Sequence, residues 1–139
     1  MKINIKILLG AAVCVVVIIG AGWFIKNNYD NGGMDMTNRR ITATQAHTMM
    51  KRYPNAIILD VRTQQEFATG HIPGAILLPD YEIQDRAGYV LPNHDALILI
   101  YCRSGARSSS ATSLLVSMGY TNVYDFGGIN NWPYEKEGA

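Results

Sequence analysis

Three short continuous apolar runs, Ala56–Leu59, Ala75–Leu78 and Ala96–Tyr101, recur between segments with helical spacing, and this alternation limits the folds open to the chain. A run with no polar alternation suits a strand covered on both faces, because a half-exposed strand places polar residues at every second position. Ahead of the first run, Thr44 is placed to cap a short helix with Ala46, Met49, Met50 and Tyr53 on one stripe, ended by Pro54. After it, Thr63 and Glu66 have capping-box spacing and Gly70 closes the turn, which predicts a short helix over 63–69. Asp80 to Ala87 is weakly helical. Beyond the third run, Ala111, Leu114, Leu115 and Met118 form another helical stripe with Gly119 as its stop, and Asn122–Phe126 reads as a last strand. Strand and helix in alternation predict an α/β domain whose parallel sheet is covered on both faces.

The N-terminal part of the 139-residue chain is of another kind. Ile7 to Ile25 is 19 residues without a charge. At about 1.5 Å per residue it spans roughly 28 Å, close to the roughly 30 Å hydrocarbon core of a bilayer. Residues 1–26 therefore read as one transmembrane anchor, making the chain a single-pass membrane protein. A cleaved signal peptide is the rival, with Lys2 and Lys6 ahead of the run and Gly20, Ala21 and Gly22 near its end. A retained basic leader places the N-terminus in the cytoplasm and residues 27–139 outside it. Cys14 lies inside the apolar run as a filler. Residues 27–38, rich in Asn, Asp and Gly, read as a tether, and 39–139 as one domain. A net charge of +1 gives no electrostatic footprint for nucleic acid, which leaves small molecules or proteins as partners.

Cys102 is the only cysteine beyond the anchor, so no disulfide can form within the domain. It ends the strongest strand run, and ligands of open parallel α/β sheets bind outside the carboxyl ends of strands. The following residues, Arg103, Ser104, Gly105, Ala106 and Arg107, offer successive backbone N–H groups, with Gly105 free to take positive φ, so a concave amide nest can form around the sulfur. The amides, a helix N-terminus and the charges of Arg103 and Arg107 all favour thiolate over thiol. The competing reading is a buried apolar cysteine beside solvent-facing arginines, but inert cysteines prefer apolar surroundings to basic loops.

Three segments, in this order, resemble the single-domain rhodanese family. They are LDVRTQQEFATGHIPGAILLP (Leu59–Pro79), YCRSGARS (Tyr101–Ser108) and GYTNVYDFGGINNWP (Gly119–Pro133). The resemblance covers nearly all of residues 40–133. It implies about five mostly parallel strands with helices on both sides, here preceded by the transmembrane helix. It also implies a sulfurtransferase in which sulfane sulfur passes from an anionic donor such as thiosulfate, through a persulfide on Cys102, to a thiol or cyanide. Arg103 to Ser108 would surround the substrate, and neither a metal nor an organic cofactor is needed. The same resemblance suggests that Asp60 and Arg62 support the loop; Asp60 reads equally as a helix-entry carboxylate. Glu66 reads as a cap, His71 as a histidine hydrogen-bonded into the fold, and Trp132 as a core residue closing the domain.

Two other functions compete with this one. Phosphatases and arsenate reductases built on the same fold use a longer loop, with five residues between Cys and Arg, whereas four separate Cys102 from Arg107. A non-catalytic, membrane-tethered persulfide carrier would need the same reactive cysteine.

Overall fold

The computed structural model describes residues 39–138. The uncharged segment 7–25, Cys14 and the tether 27–38 lie outside them; among the described residues no helix is long and apolar enough to cross a membrane.

Helix α1 spans Ala43–Arg52 and is capped by Thr42, not by Thr44. The Thr42 hydroxyl accepts from the Gln45 amide at 3.1 Å while the Gln45 side chain accepts from the Thr42 amide at 2.8 Å, so two orphan donors are satisfied together. Thr44 lies inside the helix, where its carbonyl accepts from the Thr48 hydroxyl. Tyr53 leaves the expected stripe because the backbone turns extended there, ahead of Pro54, and its side chain is exposed. Strand β1 follows at Ile57–Asp60, and helix α2 at Gln64–Ala68 carries the expected reciprocal Thr63–Glu66 cap. Strand β2 is Ile76–Leu77, a 3-10 turn covers Asp80–Glu82, and helix α3 runs Ile83–Val90. Strand β3 is Ile98–Cys102, helix α4 is Ala106–Ser117 and strand β4 is Val123–Gly128.

All strand pairs are parallel, in the order β2-β1-β3-β4. Among the described residues four strands stand where about five were expected. Beside β4 the described residues make one isolated parallel bridge, Arg40 to Asp125, and on its C-terminal side no ladder extends because Thr42 already begins the cap of α1. β2 is also shorter than the apolar run that encodes it. Pairing on one side only, it leaves Ile76 38% exposed, so this run is not buried on both faces.

The central strand β3 is buried along its whole length. Its alternate side chains feed two layers. Ile98, Ile100 and Cys102 join Leu59 and Val123 beneath Ile83 and Ala87 of α3 and Ala111 and Leu115 of α4. On the opposite face the rings of Tyr101, Phe126 and Trp132 pack against one another at tilted angles, and Trp132 meets His47 of α1 edge-on. Helices therefore cover both faces. Because β2 and β3 flank β1 on opposite sides, the direction of chain progression reverses between β1 and β3, and the carboxyl ends of those two strands are where sheets of this kind place their ligand crevice.

Candidate active site

Cys102 ends β3 at this position. The β3–β4 register slips between Ile100 and Cys102, which sets Cys102 opposite Gly128. Helix α4 begins almost at once, so Ala106 and Arg107 belong to its first turn and only Arg103 to Gly105 form the connecting loop. Gly105 is the N-cap, with φ 109°, a conformation that a β-carbon would strain. No side chain caps this helix, and its first intrahelical bond is from the Ser109 amide to the Gly105 carbonyl. The amides of the first turn are thus left for whatever lies at the helix start.

That group is the sulfur. The Gly105 N–H donates to Cys102 Sγ at 3.0 Å. Burial pushes the Cys102 thiol up, but the Ser108 amide and hydroxyl and the Gly105 and Ser104 amides together bring it below its ordinary value. The thiolate is favoured by neutral dipoles.

The two arginines differ: Arg107 interacts electrostatically with Cys102, as expected, although its hydrogen bonds go elsewhere. Arg103 is exposed and makes no ion pair among the described residues. Arg107 turns toward α2, where its two terminal nitrogens meet the Glu66 carboxylate at 2.8 and 2.7 Å. Glu66 is more than a cap: the Arg107 hydrogen bonds, with help from Thr63, hold it down at about 2 against the opposing effect of burial. The pair pins the first turn of α4 to the start of α2. Ser108 fixes the other side, its hydroxyl shared between the Gly105 carbonyl at 3.1 Å and the Gly127 carbonyl at 3.2 Å. Ser104 and Ala106 face solvent.

Asp60 and Arg62 form a buried ion pair whose contacts go away from the loop. Arg62 Nη2 meets Asp60 Oδ2 at 2.7 Å and the Gly70 carbonyl at 2.8 Å, and the Arg62 amide donates to Asp60 Oδ1. The Arg62 guanidinium also stands over the Tyr101 ring, whose hydroxyl accepts from the Ile72 amide. Burial and the hydrogen bond to Asp60 raise that phenol. The cluster therefore ties the end of β1 to the 70–72 turn and reaches the loop only through Tyr101, the residue before Cys102. His71 stacks on Phe67 and its Nδ1 lies 3.1 Å from the Phe67 carbonyl, a structural position. Trp132 is buried, as expected.

Two supports of the loop were missed from the residues alone. A β-carbon on Gly128 would stand 2.3 Å from the Arg103 carbonyl oxygen and 2.7 Å from Ser104 Cα, so the loop backbone rests directly on this glycine. Asp125, buried in β4, shapes the turn beneath by accepting from the Gly127 amide at 2.8 Å. The Gly127–Gly128 pair was the available signal; its spatial partner was not.

The chain is 33% identical over 73 residues to "Thiosulfate sulfurtransferase PspE" of Escherichia coli, covering 52% of this chain and 70% of that protein. It is 37% identical over 95 residues to "Thiosulfate sulfurtransferase GlpE" of Pseudomonas putida, covering 68% and 84%. Among solved structures, a rhodanese with anions from E. coli superimposes with a TM-score of 0.57 at 30% identity, over 60% of this chain and 99% of that one. A rhodanese-related protein from Thermoplasma volcanium gives 0.63 at 27% identity, over 73% and 99%. The rhodanese-like domain model matches residues 42–135, from the cap of α1 to just beyond Trp132, and the chain belongs to the rhodanese-like domain family.

Proposed function

We propose that the domain is a sulfurtransferase that carries sulfane sulfur on Cys102 from an anionic donor such as thiosulfate to a thiophilic acceptor. The observation that carries this reading is the 3.0 Å hydrogen bond from the Gly105 amide to Sγ at the start of an uncapped helix. The names of the relatives point the same way.

In the first step the Cys102 thiolate attacks the outer sulfur of thiosulfate. A new S–S bond forms on the protein, the old S–S bond breaks, and its electron pair leaves on sulfite. Cys102 becomes a persulfide whose terminal sulfur bears the negative charge. The loop amides are already oriented by Gly128 beneath them and by the Glu66–Arg107 pair, so they meet that charge without reorganising. In the second step cyanide or a thiolate attacks the terminal sulfur, taking it as thiocyanate or a new persulfide, and the Cys102 thiolate is restored. The ring of donors suits one terminal anion. A tetrahedral phosphate needs donors around three oxygens, and here the guanidinium of Arg107 is engaged with Glu66.

Mass spectrometry after thiosulfate treatment tests this: one added sulfur on Cys102, removed by cyanide, is expected, with steady turnover when both are supplied. Sulfur loading without turnover would favour the carrier; hydrolysis of an aryl phosphate faster than sulfur transfer would overturn both. The uncharged run 7–25 supports a further part of the proposal, that the domain is held at a membrane and faces out of the cytoplasm. Protease added to spheroplasts should then remove it; an intact domain contradicts that placement.

A further inference from the structure

A cavity lies beside α4. Its volume is about 410 Å³, and Arg39, Arg40 and Asp125 on the β4 edge face Ser109, Thr112, Ser113 and Val116 of α4 across it. These four helix positions fall on one face at i, i+3, i+4 and i+7 spacing. The wall carries two guanidiniums against one carboxylate. That carboxylate is already engaged, Oδ1 by the Gly127 amide at 2.8 Å and Oδ2 by Arg40 at 3.5 Å. Arg39 uses one terminal nitrogen on the Thr121 carbonyl, at 2.7 Å. Thr112, only 5% exposed, holds the one buried side-chain polar atom among the described residues that has no hydrogen-bond partner. That oxygen has almost no accessible surface, so the hydroxyls within reach of a ligand in the cavity are those of Ser109 and Ser113, both exposed.

We propose that this cavity is a second anion site, which takes a small oxyanion of the sulfate, sulfite or phosphate class between Arg39, Arg40 and the hydroxyl face of α4. Paired guanidinium forks match the acceptor geometry of such ions. The site also touches the catalytic loop from behind. Arg40 Nη2 lies 3.2 Å from where a β-carbon on Gly105 would stand, and Gly105 is the residue whose amide holds the sulfur. An anion that draws Arg40 away from Asp125 changes the packing against that turn. Sulfite, the product of the proposed first step, is of the right class to do so, and this extension alone depends on the sulfurtransferase reading.

The test uses the full chain, with sodium sulfate or phosphate titrated at constant ionic strength and amide and arginine side-chain shifts followed by NMR. The expected result is saturable shifts at Arg39, Arg40, Ser109, Thr112 and Ser113, kept in Cys102→Ser and weakened about tenfold or more by Arg39→Gln or by Arg40→Gln. Arg39→Gln serves as the second variant because Arg39 does not pack on the loop. Non-saturating shifts, shifts confined to 103–108, or binding unaffected by both arginine variants would overturn the proposal. None of these readouts requires sulfur transfer, so the site stands or falls apart from the enzyme reading.

Discussion

The carboxyl ends of β1 and β3 lie side by side in one parallel sheet, and they hold opposite kinds of chemistry. At the end of β1, Asp60 and Arg62 are full charges, buried and matched to one another in a fork, with their remaining bonds on Gly70 and Tyr101. At the end of β3, Cys102 meets the neutral amides of Ser104, Gly105 and Ser108 at the start of a helix that no side chain caps. The first site is electrostatically closed. The second keeps an uncompensated positive potential, which suits it to an anion that arrives and leaves. Strength of charge does not mark the reactive place in this fold; unspent hydrogen-bonding capacity does.

The largest effect should come from removing the sulfur. Cys102→Ser keeps the volume and the Gly105 contact but loses the ionisable nucleophile, so sulfur transfer should vanish while thermal stability stays near wild type. A denaturation curve beside the thiosulfate–cyanide assay checks both halves.

Asp60→Ala tests the other end of the comparison. It leaves the Arg62 charge buried without its partner, a change that costs about 3–5 kcal/mol of stability, whereas the thiol reactivity of the molecules that remain folded should hardly move. Urea melts at neutral pH measure the first, and alkylation rates below the melt measure the second. A stable variant with a sluggish thiol would reverse the roles assigned to the two strand ends.

Gly128→Ala lies next in size. Its methyl group drives into the Arg103 carbonyl and shifts the loop backbone, and turnover should fall about a hundredfold, the scale on which misplacement by an ångström acts. Steady-state thiosulfate–cyanide turnover provides the measurement. A smaller effect belongs to Glu66. Its carboxylate is held at about 2, below the ordinary 4.5, so its contribution is fully present above pH 4.5 and is lost as pH falls from there toward 2. Glu66→Gln should cost on the order of 2 kcal/mol at pH 7, and the gap to wild type should close progressively below pH 4.5. Chemical denaturation at several pH values reads it directly.

Much of this layout was legible in the residues because it is local. The strand runs, the Thr63–Glu66 cap and the cysteine at a strand end are set by neighbours within one turn or one strand. Even the misplaced cap of α1 had its signal in place: Gln45 stands three residues after Thr42, and the reciprocal bond decided between two threonines. The β2 run was misjudged because its exposure depends on being an edge, and strand order is not written in any one segment. The site beyond Cys102 is tertiary in the same sense. Glu66 meets Arg107 across 41 positions, and Gly128 meets Arg103 from the far strand. Nothing in the chain near either residue announces the contact. The arginines of the loop read as charges on the sulfur because they are close in sequence; Arg103 lies in solvent, whereas Arg107 does act electrostatically on Cys102 while its hydrogen bonds go to Glu66.

That last difference can be measured most directly by the pH dependence of Cys102 alkylation in the wild-type chain and in Arg103→Gln. If the amides favour the thiolate, the wild-type midpoint lies below the ordinary value of about 8.5. The variant then follows within about half a unit, because an exposed charge is screened by solvent. A wild-type midpoint at or above about 8.5, or a rise of a full unit in Arg103→Gln, would show instead that side-chain charge or nothing at all polarises the sulfur, and would contradict the account of the loop.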